Sequence, residues 1–91
     1  MKAYLVYQEA SGQEYDEIDN LGYFLSLDRA RAFAAQRAAK ENREALKYLR
    51  PDGRMYLDTT LFEEQAPGWW ARKNHMGDNE HIRVAEITIE E

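Results

Sequence analysis

Residues 26–50 read SLDRARAFAAQRAAKENREALKYLR, and this stretch decides the fold. Seven alanines fall between Ala30 and Ala45, and Ala is the strongest helix former. Ser26 offers a side-chain oxygen as an N-cap, and Asp28 suits the positive end of the helix dipole. Placed at about 100° per residue, Leu27, Ala34, Ala38, Ala45 and Leu49 fall on one narrow stripe. Arg29, Gln36, Lys40, Arg43, Lys47 and Arg50 fall on the opposite side. The pattern predicts a helix over 27–49, ended by Pro51-Asp52-Gly53. Its small apolar stripe suits close approach to a sheet. Arg31 projects near that stripe and must find an acceptor or extend past the sheet edge.

The flanks supply the sheet. Residues 2–9 alternate, with Ala3, Leu5 and Tyr7 on one side and Tyr4, Val6 and Gln8 on the other. Both sides are apolar enough for a central strand. Residues 10–19 are polar and acidic and read as a loop, and 21–25 as a second short strand. Beyond the helix, 54–58 alternates as a third strand. Thr60-Leu61-Phe62-Glu63 fits a capping box, which predicts a short helical turn to about Ala66. Trp69 to Arg72 reads as a strand or as a wall beneath the helix, 74–80 as a turn, and 82–89 as the last strand. Ile82 and Val84 alternate with Ala85, Ile87 and Ile89, which requires two partly covered faces or a bulge near Val84.

The expected architecture is α+β: an antiparallel sheet of four or five strands with one long helix, 27–49, on one face. No repeat, linker or low-complexity stretch divides the chain, so residues 1–91 are expected to form one domain. The far face of the sheet would be covered by residues 59–73 or by a second copy of the chain. Tyr4, Val6 and Val84 left bare on a half-covered sheet would favour a homodimer.

Composition narrows the function. Without cysteine there is no disulfide framework, thiolate zinc site or thiol nucleophile. No apolar run approaches the roughly 18–20 residues of a membrane span. The opening MKAYLVYQE lacks the apolar stretch of a signal peptide, so a cytoplasmic location without membrane contact is expected. The net charge is −5, and it is unevenly placed. Residues 27–50 carry +4 and the rest of the chain −9. Glu9, Glu14, Asp16, Glu17 and Asp19 fall in one stretch without a base. Such a separation steers encounter with a charged partner.

Catalytic and metal signatures are weak. His75 and His81, with Asp78 and Glu80, match no metal-ligand spacing. The neighbouring acids Asp16-Glu17, Glu63-Glu64 and Glu90-Glu91 diverge in a strand or a helix, whereas acid–base pairs must converge. There is no nucleophile elbow, phosphate-binding loop or dinucleotide fingerprint. No enzyme, cofactor or metal is expected.

Binding surfaces are better marked. Adjacent Trp69 and Trp70 face opposite ways in an extended segment, so one of them is a candidate contact for a partner. Lys40, Arg43, Lys47 and Arg50 on one helix face could follow a phosphate backbone. Against direct nucleic-acid binding stands an isoelectric point near 5.0.

Tyr4-Leu5-Val6-Tyr7, then Gly22-Tyr23-Phe24-Leu25-Ser26 leading into the Ala-rich helix, and the closing Glu86-Ile87-Thr88-Ile89-Glu90 form a recognisable order. The chain resembles small phage- or bacterium-encoded proteins of strand, strand, helix, strand order. In those, a Gly-x-Phe-x-Ser run precedes the helix. The resemblance covers residues 1–40 and 82–91 and carries over no active residues. It implies a small accessory protein that acts by binding. Some such proteins block host defence, CRISPR effectors included, by occupying a nucleic-acid groove or a subunit interface. The leading expectation is therefore a protein-binding module, a phage-type inhibitor whose acidic loop mimics phosphates. The alternative is a nucleic-acid-binding accessory protein that uses the basic helix face.

Overall fold

The computed structural model describes residues 1–11, 16–47, 52, 60–73 and 79–90. Five strands and one helix follow in the order β1 (Lys2–Ser11), β2 (Asp16–Phe24), α1 (Leu27–Leu46), β3 (Glu63–Ala66), β4 (Trp69–Lys73) and β5 (Asn79–Thr88). The strands form one antiparallel sheet in the order β2-β1-β5-β4-β3, with α1 packed on it. The architecture is α+β, as the helix pattern implies. β1 is central, between β2 and β5. The candidate strand 54–58 lies outside the described residues.

Ser26 is the N-cap: its backbone is extended and its hydroxyl accepts from the Arg29 N–H at 3.3 Å. Ala30, Ala34 and Ala38, one helical turn apart, are fully buried against the sheet. They meet Val6 and Ile82, the two largest fully buried side chains, with Phe62 beside them. Burying a Val or Ile contributes about 1.5–3 kcal/mol, so these two centre the core. Tyr4, Phe24, Phe33, Trp70 and Val84 pack around it, and the Phe24 and Phe33 rings lie 5.1 Å apart.

Strand register fixes which residues share a face. Val6 pairs with Val84 and Gln8 with Ile82, so Tyr4, Val6, Gln8, Ile82 and Val84 lie on the helix-covered face. Tyr4, Val6 and Val84 are thus core residues and not bare ones. Ala3, Leu5, Tyr7, Ala85 and Ile87 face away. The β1–β5 register runs unbroken from Lys2↔Thr88 to Ser11↔Asn79. There is no bulge at Val84, because both faces of β5 carry apolar side chains. The irregularity is in β2: Val6 pairs with Gly22 but Tyr7 with Asn20, leaving Leu21 as the extra residue. Leu21 packs against the core. The slip also turns Asp19 and Glu17 to the covered face and Ile18 to the open one.

Three expectations fail for identifiable reasons. The acidic stretch is not a loop: β1 extends to Ser11 and β2 begins at Asp16, because the outer ends of the hairpin continue to pair. Thr60 does not cap a helical turn. Its hydroxyl accepts from the Lys73 N–H at 2.8 Å, its own N–H donates to the Lys73 carbonyl at 2.9 Å, and Glu63–Ala66 enters the sheet as β3. Residues 60–73 therefore widen the sheet and do not fold over its far face. Phe62 turns into the core, its backbone N–H and C=O both bonded by the Asn42 side-chain amide at 2.7 and 3.2 Å.

Pro67 and Gly68 join β3 to β4. Gly68 is buried with φ +81°, and a Cβ there would sit 3.0 Å from Arg31 Cγ and 3.3 Å from Val84 Cγ2. Arg31 thus resolves as a stem laid over Gly68, with its residue as a whole exposed. Gly68→Ala combines a left-handed backbone with a tight contact to the core residue Val84. It is expected to cost about 1–3 kcal/mol, read as a lowered midpoint in urea.

Candidate functional site

A closed ring of polar side chains ties the middle of α1 to the sheet. Arg37 Nε donates to Gln8 Oε1 at 3.2 Å, and Gln8 Nε2 donates to Glu80 Oε2 at 3.0 Å. Arg72 Nη2 donates to the same Glu80 oxygen at 3.0 Å and to Glu41 Oε2 at 3.4 Å. Glu41 closes the circuit through Oε1 to Arg37 Nη2 at 3.0 Å, an i,i+4 pair on the helix. The Arg72 guanidinium also lies over the Phe62 ring, 4.3 Å from its centroid. The Arg72 and Glu80 side chains are only 11% and 12% exposed, so this pair is shielded from solvent screening.

Beyond this ring opens a cleft of about 200 Å³, lined by Gln8, Ala10, Glu17, Asp19, Arg72 and Glu80. Glu17 and Asp19 stand on its rim, exposed, and enter no ion pair among the described residues. The β2 bulge brings them here. Glu9 takes the opposite face, between Ile18 on β2 and His81 on β5. The acids that sequence groups together are therefore split between two faces of one ribbon. Glu14 lies outside the described residues; Asp16 opens β2, with only its backbone described.

The tryptophans divide as strand alternation requires. Trp70 pairs with Ile82 and packs on the core, its indole nitrogen buried. The residue as a whole is half-buried. Trp69 faces the open side, where its Nε1–H donates to His81 Nδ1 at 3.0 Å. Accepting at Nδ1 places the neutral His81 proton on Nε2. The Arg83 guanidinium covers the Trp69 ring at 4.5 Å. Sequence reading missed Arg72, Glu80 and Gln8 as a unit. The signal was present: Arg72 shares the Trp70 face, and Gln8 and Glu80 are polar residues at covered positions of otherwise apolar strands.

Lys40, Arg43 and Lys47 are all exposed along the outer side of α1; Arg50 is outside the described residues. Among the described residues, no three His, Asp or Glu side chains are grouped to hold a metal. His75 and Asp78 are outside them. Glu63 and Glu64 are adjacent strand residues, both exposed, and do not converge. Lys2 reaches Glu86 at 3.1 Å, and that carboxylate raises the Lys2 pKa at the exposed start of β1. No described helix is long and apolar enough to cross a membrane.

Comparison with protein-family models, curated proteins and solved structures finds no match to this chain. The functional reading therefore rests on the surfaces alone.

Proposed function

We propose that the chain is a non-enzymatic protein-binding module whose acidic β1–β2 ribbon occupies a basic groove on a partner. The observation that carries this reading is the placement of Glu17 and Asp19. They stand exposed beside the Glu80–Arg72 cleft, without an ion pair among the described residues. Carboxylates held on a rigid strand at a two-residue repeat, about 7 Å, match the spacing of successive phosphates closely enough to compete for Arg and Lys. A groove that normally holds nucleic acid is the chemistry such a ribbon fits. The partner class is thus a nucleic-acid-processing complex, and a phage-type inhibitor of a defence complex is one protein of this kind.

The exposed Lys40, Arg43 and Lys47 support a second reading, in which α1 itself follows a phosphate backbone. Capture from lysate on the tagged chain, with and without nuclease, separates the two. The first reading expects a stoichiometric protein that survives nuclease and remains bound when Lys40, Arg43 and Lys47 are replaced by Ser. Added single-stranded nucleic acid should displace it. A partner lost with nuclease, and lost again in the Ser variant, favours the basic helix and overturns the acidic-ribbon reading.

A further inference from the structure

The open face of the sheet has a self-complementary surface. Of the six exposed large hydrophobics, Ile18 and Tyr23 lie on it, and Met1 and Ile89 pair with each other at its end. Among the described residues no helix or strand packs over it, its β1 and β5 residues are half-buried with Ala3 at 3% exposure, and the molecule is 18 Å across its thinnest axis. The cross-strand partners on this face pair a large side chain with a small one, or a π-face or acid with a base. Across β1 and β5 they are Ala3↔Ile87, Leu5↔Ala85, Tyr7↔Arg83 and Glu9↔His81. A two-fold axis parallel to the strands, midway between β1 and β5, lays β1 of one copy on β5 of the other at the same level. Each residue then meets the counterpart of its own cross-strand neighbour. Leu5 would fill the space above the second copy's Ala85. Tyr7 would meet its Arg83, and Glu9 its His81, whose Nε2–H is directed away from the Trp69 bond.

We infer that this face binds a second copy of the chain, forming a two-fold dimer in which β1 stacks on β5. β1 and β5, of ten residues, span about 33 Å, β2, of nine, about 30 Å and β4, of five, about 17 Å, and each adds roughly 4.8 Å in width. The face offers about 550 Å² in flat projection, so two copies bury about 1,100 Å², above the roughly 1,000 Å² that a specific interface needs. Electrostatics favours this face over the others. Two chains of −5 repel, and the exposed Glu17 and Asp19 lie on the opposite side. At the centre of the open face the acid Glu9 lies opposite His81 and next to Arg83, while the exposed Glu63 stands at the β3 edge outside the β1-on-β5 contact. Aligned sheet packing turns the sheets by about 30°. The register therefore holds best for the central pairs, Leu5 with Ala85 and Tyr7 with Arg83.

Sedimentation equilibrium of the full chain from about 1 to 200 µM, a range set by ordinary weak-to-moderate dimers, tests the inference. The expected mass at the upper end is twice the 10.7 kDa of one chain. Ala85→Leu places leucine against leucine at two symmetric contacts and should weaken the dimer by roughly tenfold or more. Leu5→Ala combined with Ala85→Leu exchanges large for small and should restore it to within a few-fold. Ala85→Arg should leave a folded monomer, with folding checked by circular dichroism. A wild-type chain that stays monomeric to 200 µM overturns the proposal, as does a dimer indifferent to Ala85→Arg. A double variant that fails to recover overturns the β1-on-β5 axis. Glu17 and Asp19, which carry the acidic-ribbon reading, lie on the covered side and are untouched by these variants, so failure of the dimer leaves that reading standing.

Discussion

Arg72→Ala is expected to destabilise the chain by about 3–5 kcal/mol. A domain of this size has a total stability of about 5–14 kcal/mol, so the variant should melt many degrees lower or fail to fold at 37 °C. The loss has three parts. Glu80, 12% exposed, would keep its charge with only the neutral Gln8 amide as a partner. Glu41 would lose its link to the sheet and keep only Arg37. The Phe62 ring would lose the guanidinium stacked on it. Removing the charge from the far side should recover part of this. Arg72→Met with Glu80→Gln leaves no unpaired buried ion and should be more stable than Arg72→Ala by about 1–2 kcal/mol. Urea unfolding of the three proteins reads the comparison. A change below about 1 kcal/mol for Arg72→Ala would mean that the ring is solvated and does not lock the helix to the sheet.

Ile82→Ala should cost a similar amount, about 3–4 kcal/mol, for a different reason. Ile82 is fully buried between Gln8 on β1 and Trp70 on β4, directly beneath the alanine stripe. Ala30, Ala34 and Ala38 are too small to collapse into the space vacated, and their backbone is held by the helix. The cavity would persist, which is where truncations cost most. Because β5 joins the β1–β2 hairpin to β4 and β3, the unfolding should remain one cooperative step. Ile82→Val, which removes one methyl group, should cost only about 1 kcal/mol. Equal losses for the two variants would argue that the site relaxes and is not tightly packed.

The sequence made the helix, its N-cap and its buried face legible because alanine periodicity and the Ser26 cap are local signals. β1 and β5 were legible as apolar alternation on both faces. Two features were not. The capping pattern at Thr60 is also satisfied by a strand crossing, and the choice depends on Lys73 being close in space, which no local rule sees. The bulge at Leu21 decides whether Glu17 and Asp19 flank the cleft or the open face, and a single inserted residue in a pairing leaves no mark in composition. Of the candidate sites, Trp69 was legible as the outward member of its pair only up to the choice between two adjacent tryptophans. Register against Ile82 made that choice. The ring around Arg72 needs four elements at once, so its members look ordinary when read one at a time.

The central functional claim is that the acidic ribbon makes the partner contact. It is tested most directly by replacing Glu9, Glu14, Asp16, Glu17 and Asp19 with Ser and titrating the variant and the native chain against the purified captured partner at two salt concentrations, about 50 and 300 mM. The account predicts an unchanged fold and an affinity at least roughly tenfold weaker at low salt, with the difference narrowing as salt rises. Equal affinity of the two proteins at low salt would contradict it and remove the ribbon from the contact.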